Sequence, residues 1–569
     1  MKKPEIVQLL TPWGETLDEI PWNVYPRPQM KRDSFLCLNG TWKITIGHGE
    51  EQTIIVPFAP ESVLSGLGCE VKNGEEMHYV KQFTLPETFL KDRVLLHFGA
   101  VDQTCHVYLN GNKVGIHEGG YDAFSFDITP YLAKENTLEV YVTDELITHT
   151  LPYGKQRFDR GGMWYTPVSG IWQTVWLESV PEFYVSNLRM DVTLTSCTIF
   201  AEGVETGTVT VKTEEGEQEF ALTNGVCKIE LDHPHLWTPE DPYLYHFTLK
   251  AGEDVVKSYF ALRTLLAKVV NGVSRLCLND KPYFFHGLLD QGYFSDGIYT
   301  PASPEAYEFD ILSMKQLGFN MLRKHIKVEP EQFYYDCDRL GMVVFQDMVN
   351  NGHYSFFRDT ALPTIGIQKL KDTNLHRDPA TREAFAVGME RTVKQLYNHP
   401  SICYWTIFNE GWGQFTAQKM YKKMLTLDTS RFIDTTSGWF RCADSQVESL
   451  HIYFKPIKIK PCDKPIVLSE FGGYSYKVKG HSFNLSSTYG YRFFEEETPF
   501  RKAVVDLYME QVLPTIKGGL CATVYTQVSD VEDETNGLLT YDRRVLKVDV
   551  DEMRAVASAI FDAFCEATK

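Results

Sequence analysis

The feature that most constrains this chain is a change of pattern near residue 264. Beyond it, short apolar runs of single-strand length fall at 284–287, 320–323, 342–347, 402–408, 432–437, 447–452, 466–469 and 520–526. Strands buried on both faces read as continuous apolar runs, because neither face meets water. Segments 304–317, 329–340, 381–396 and 416–427 carry apolar residues at helical spacing and lie between or before several of these runs. Eight such strands in about 300 residues is the count for a (β/α)8 barrel, an α/β fold. The helices after the fifth and sixth runs are poorly marked.

The residues before 264 are β-rich. Val94, Leu96 and Phe98 share one face of a strand, and Phe124, Phe126 and Ile128 alternate again. Asn110-Gly111 between alternating runs is a strong hairpin signal. The rhythm predicts an antiparallel sandwich over 1–182 and a smaller, immunoglobulin-like sandwich over 183–263, with the barrel filling 264–569. With 43% hydrophobic and 13% aromatic residues the chain can bury cores of this size. The formal charge of −19 disfavours nucleic acid or an anionic membrane as partner. No apolar run of signal-peptide or membrane-spanning length is present, and the 12 cysteines form no Cys-x-x-Cys pair. A cytoplasmic protein with reduced core thiols is expected.

Barrel active sites lie at the C-terminal ends of the strands. The polar residues there are His286, Arg323, His325, Gln346, Asp347, Asn409, Glu410, Ser437, Trp439, His451, Tyr453, Glu470, Tyr525, Gln527 and Asp530. Glu410 and Glu470 each follow a strongly apolar run, the fourth and the seventh, and would face each other across the barrel mouth. Two carboxylates so placed can hydrolyse a glycoside: one protonates the leaving oxygen, the other attacks the anomeric carbon or activates water. Trp405, Phe408 and Trp412 around Glu410 would raise its pKa by desolvation, as an acid needs.

The run from Asn398-His399-Pro400 through Trp405 to Asn409-Glu410 closely resembles the acid/base signature of glycoside hydrolase family 2. Gly170-Ile171-Trp172 to Glu178, Phe285-His286-Gly287, Asn320–Arg323 with His325, and Ser469-Glu470-Phe471-Gly472 are similar to other family segments, in the same order. The resemblance implies a jelly-roll sugar-binding domain, an immunoglobulin-like domain, a catalytic TIM barrel and a retaining mechanism. Glu410 would then be the acid/base and Glu470 the nucleophile. Asn409 would hydrogen-bond the sugar 2-hydroxyl, Tyr453 support the nucleophile, and Arg323 keep it ionised. His325 and His286 would line the sugar pocket, Asp290 would contact the sugar, and Trp439 and Tyr525 would be stacking platforms. No metal or other cofactor is expected, and family members are often oligomers.

Some positions depart from the family pattern. Gly162 stands where β-galactosidases carry a sugar-contacting Asp, with Asp159 nearby, and the Asn-x-Lys of many β-glucuronidases is not evident. These departures weaken any substrate name; nothing in the sequence demands a uronate, so an exo-acting β-galactosidase is the first expectation. A β-glucuronidase or β-galacturonidase is the alternative, with Lys324, Lys327, Arg492 or Arg501 as the cation. A carbohydrate-binding protein with an inactive barrel is a further reading, which loss of either carboxylate would favour, and both are present.

Overall fold

The computed structural model describes residues 5–364, 366–367, 371–441 and 444–569. Near the N-terminus two antiparallel sheets pack face to face. One has four strands in the order Phe35–Cys37, Val175–Val180, Arg93–Phe98, Phe124–Asp127. The other has six, Gln52–Val56, Gly40–Ile46, Met77–Phe83, Asn136–Thr143, Thr104–Leu109 and Asn112–Glu118. Trp42, Tyr79, Leu96 and Val140 contribute to the core between them. At the expected hairpin Leu109 pairs with Asn112, and Asn110 and Gly111 take φ of 53° and 77°. Positive φ at both central residues gives the turn whose twist matches the flanking strands.

Seven antiparallel strands follow, from Asn187–Val192 to Asp254–Phe260, around a core that includes Val209, Ile229 and Phe247. A hairpin, Leu265–Val270 with Val273–Leu278, then precedes the barrel. Its Leu276 packs with Trp237 and the inward barrel residues Phe285 and Val467, and Arg275 donates to the carbonyls of Ile516 and Leu520.

The barrel strands are β1 (Phe285–Asp290), β2 (Met321–Lys324), β3 (Val343–Asp347), β4 (Ile402–Asn409), β5 (Phe432–Ser437), β6 (Glu448–Ile452), β7 (Ile466–Gly472) and β8 (Leu520–Thr526). All neighbours are parallel, in the order β5-β4-β3-β2-β1-β8-β7-β6. Among the described residues no ladder forms between β5 and β6; Gln446 N–H to Ile433 O (3.1 Å) and the Ser437 and Ser449 hydroxyls (3.2 Å) span the gap. Helices α1 (Glu305–Gln316), α2 (Glu331–Leu340), α3 (Pro379–Leu396), α4 (Ala417–Leu427), α5 (Glu497–Asp506) and α6 (Val550–Thr568) surround it. Among the described residues the connections after β5 and β6 hold no helix. Pro456, Pro461 and Pro465 would interrupt one in the second of these. No helix of the described residues is long and apolar enough to cross a membrane.

Candidate active site

Strand β4 ends at Asn409, and Glu410 follows with φ 50°, its N–H bonded to Ser437 O at 3.0 Å. This left-handed residue turns the chain off the strand at the barrel mouth. Strand β7 runs on to Gly472, so Glu470 lies within the strand rather than at its end. Its pairing with β8 shifts register between Leu468 and Phe471, an irregularity of the kind that re-aims a side chain.

The two carboxylates meet at His451. Its Nδ1 is 2.8 Å from Glu410 Oε1 and 3.5 Å from Glu470 Oε2, and its Nε2 is 3.0 Å from Ser437 Oγ. One ligand-type atom each from Glu410, His451 and Glu470 lie within 4.8 Å of one another. Glu470 accepts from the Tyr453 hydroxyl at 2.5 Å and from Arg323 Nη1 at 3.1 Å. Arg323 also donates to Asp347 Oδ1 (3.0 Å), to Ser469 O (3.0 Å) and to Asn409 Oδ1 (2.8 Å). Holding the Asn409 oxygen leaves its Nδ2 buried and without a partner among the described residues. Asp347 Oδ2 takes His325 Nδ1 at 2.8 Å, which fixes that ring.

The environments push the two carboxyls apart. Burial raises Glu410, the Glu470 charge adds to this, and His451 only partly opposes it. Burial would also raise Glu470, but His451, Arg323, His325 and the Tyr453 hydrogen bond outweigh it and hold it below the ordinary carboxylate range. His325 is lowered to about 4 by burial and by the nearby Lys155 charge. One group is thus disposed to keep its proton and the other to stay ionised, the split that acid and nucleophile require.

The structure brings Glu410, Glu470, Asn409, Arg323, His325 and Tyr453 together, and Trp439 lines the adjoining cavity of 640 Å³ with Glu410, His451, Tyr453, Tyr489 and Tyr491. It does not bring His286, Asp290 or Tyr525 there. Phe285 and Leu289 take the inward positions of β1, so His286 and Asp290 point outward. His286 stacks on Phe319 (4.5 Å) and is lowered to about 3 by burial. Asp290 holds Lys324 at 2.7 Å, and that ammonium lies 4.1 Å from the Phe333 ring on α2. Tyr525 packs between Phe471 and Tyr508, its hydroxyl accepting from Tyr474 N–H.

The expected uronate cations are elsewhere engaged. Lys324 and Lys327 are paired with Glu329 (2.8 Å each), Arg501 with Glu497, and Arg492 lies over Phe494 at 4.9 Å. Asp159 is exposed, and a Cβ on Gly162, whose φ is 61°, would stand 3.3 Å from the Tyr489 ring.

Sequence reasoning named His451 only as a strand-end residue and gave it no role. Its place near the end of β6, two residues before Tyr453, was the available signal. It missed Lys155 and Glu534, which come from a sandwich-domain loop and from the loop after β8. The atoms of Glu410, His451 and Glu470 could also hold a cation. These are the atoms the chemistry would use, so a bound cation would compete with substrate.

The model for the glycosyl hydrolases family 2 TIM barrel domain matches residues 269–558, that for the family's sugar binding domain 68–181, and a third family 2 model 184–263. A beta-galactosidase of Thermoanaerobacter pseudethanolicus is 26% identical over 78% of this chain and 60% of its own length. A beta-glucuronidase of Felis catus is 25% identical over 58% of this chain and 54% of its own. The chain thus spans about 60% or less of the length of these curated relatives. The solved beta-D-glucuronidase of Dictyoglomus thermophilum superposes with a TM-score of 0.74 at 18% identity, over 94% of this chain and 98% of that one. With one family's models matching the barrel and both sandwich regions in sequence order, the chain belongs to glycosyl hydrolase family 2.

Proposed function

We propose that the chain is an exo-acting, retaining β-glycosidase. The observation that carries this reading is the close approach of two carboxylates of opposite protonation preference, within 4.8 Å at their nearest ligand atoms. Inverting enzymes keep their carboxyls about 6.5–9.5 Å apart to admit a water between acid and base, and retaining enzymes hold them at about 5–5.5 Å. Glu470 would attack the anomeric carbon as Glu410 gives its proton to the departing aglycone oxygen. Glu410, now ionised, would take a proton from the water that cleaves the glycosyl ester and frees Glu470. Asn409 Nδ2 would donate to the sugar 2-hydroxyl, and Trp439 would offer a face to the ring.

β-Galactosides, first in the sequence reading, and β-hexuronides are the candidate sugars. They differ at C6, a hydroxymethyl against a carboxylate, and a glucuronide differs from a galactoside at C4 as well. The test of mechanism is proton NMR of the first sugar released from an aryl β-glycoside. The β anomer is expected before mutarotation; the α anomer appearing first would overturn the retaining assignment. Glu470→Ala should be inactive, and added azide should restore turnover as the α-glycosyl azide.

A further inference from the structure

The sandwich-domain loop that crosses the barrel mouth carries Lys155, which is 6% exposed. Its ammonium lies 5.4 Å from the Tyr165 ring centroid and 5.7 Å from that of Trp412, two residues beyond Glu410. Among the described residues it makes no hydrogen bond and has no carboxylate within 4.0 Å. The other buried lysines of the barrel are engaged: Lys324 with Asp290 and Glu329, Lys327 with Glu329, Lys547 with Asp530. A buried charge with no carboxylate in direct contact is costly, and two aromatic faces offset only part of that cost.

We propose that Lys155 receives the C6 carboxylate of a terminal hexuronic acid, so that the site takes β-hexuronides in preference to neutral β-hexosides. This rests on the glycosidase reading above. The titratable groups facing Lys155 come from three parts of the barrel: Glu410 after β4, His325 after β2, and Glu534 after β8. On its own loop Arg157 lies 4.0 Å from the Trp164 ring, and Arg160 is paired with Glu532 at 3.0 Å. The ammonium also opposes, in small part, the proton that Glu410 must hold, although burial and the Glu470 charge keep that carboxyl raised. A substrate carboxylate would neutralise it and lift that opposition on binding. A negatively charged sugar would give the cation a partner in direct contact.

The test is kcat/KM for nitrophenyl β-D-glucuronide, β-D-galacturonide, β-D-glucoside, β-D-galactoside and 6-phospho-β-D-galactoside, on the full chain and on Lys155→Met. A uronide should lead in the native chain. The ratio of uronide to neutral rates should fall on the order of 100-fold in Lys155→Met, the usual cost of removing one partner from a buried charge pair. Lys155→Arg should restore part of it. With the neutral substrates, the alkaline limb of kcat/KM should move to higher pH in Lys155→Met, as Glu410 is released from the cation. A leading neutral or 6-phospho sugar, or a ratio unchanged in Lys155→Met, would overturn the proposal and leave the glycosidase reading standing. If the folded native chain turns over no substrate, the glycosidase reading fails. Calorimetry on Glu470→Gln then still decides about Lys155: neither uronic acid binding more tightly than its neutral parent sugar would overturn it.

Discussion

Glu410 and Glu470 are the same residue type made into two reagents by their neighbours. Glu410 is buried beside a like charge; Glu470 is buried beside Arg323 and the Tyr453 hydroxyl. The pH profile of kcat/KM should therefore be bell-shaped, with its acid limb below the ordinary carboxylate range and its alkaline limb above it. His451 touches both carboxylates and favours ionisation of both. Replacing it with Asn removes that influence, so both limbs should move to higher pH, with kcat falling about 100-fold through loosened geometry. A profile that keeps its limbs in place would make His451 a packing residue only. Glu410→Ala gives a second reading at this scale. Loss should be about 10²–10⁴-fold on substrates with poor leaving groups and much smaller on dinitrophenyl glycosides, which depart without a proton.

At the scale of elements, much of the barrel was legible because seven fully buried strands and a partly buried sixth leave eight apolar runs. The same burial hid which residues face inward. Every residue of β1 is buried, so Phe285-His286-Gly287-Leu288-Leu289-Asp290 shows no polar alternation to fix its phase. His286 and Asp290 were consequently assigned to the wrong face, whereas Asn409 and Glu410 were legible from one short motif. The correction is measurable. His286→Gln should lower the melting temperature with little change in KM, and His325→Gln should raise KM. The turn joining α4 to β5 offers a stability test. Asp428 accepts from Trp405 Nε1 (2.8 Å), Ser430 N–H (2.7 Å) and Arg431 Nη1 (2.8 Å). Burial opposes its ionisation, but these partners outweigh it and take the carboxyl down to about 2. The unfolded value is about 3.9, so the stabilisation is complete above that pH and is lost as pH falls toward the folded value. Asp428→Ala should cost about 3–5 kcal/mol at pH 7 by urea unfolding. The gap to the native chain should narrow below about pH 4.

At the scale of the whole molecule, the site is assembled from segments far apart in sequence. Periodicity reports contacts within an element, so it could not place Lys155 against Trp412 or His451 between the carboxylates. The sandwich strands close over their own core, but the loops from their barrel-facing end do not. Trp22, Tyr121, Tyr153, Trp164, Tyr165 and Trp172 belong to the same continuous apolar cluster as Leu288, Met348 and Trp412 of the barrel. Trp172 is its keystone on the sandwich side: fully buried, 5.0 Å from the Tyr299 ring, its Nε1–H donating to Gly120 O at 2.8 Å and its carbonyl accepting from Thr300. A shared core couples the two units thermodynamically, so barrel and sandwich should unfold in one calorimetric transition. Trp172→Ala should cost about 3–5 kcal/mol, the usual price for emptying a buried aromatic site. It should also lower uronide turnover at temperatures where the protein is still folded, because the loop carrying Lys155 is anchored by the same cluster. Two separate transitions, with Trp172→Ala moving only one of them, would mean that the sandwich folds independently and that the loop is held at the barrel mouth by its polar contacts, Arg160 to Glu532 foremost. Glu532→Gln would then be the variant that releases it.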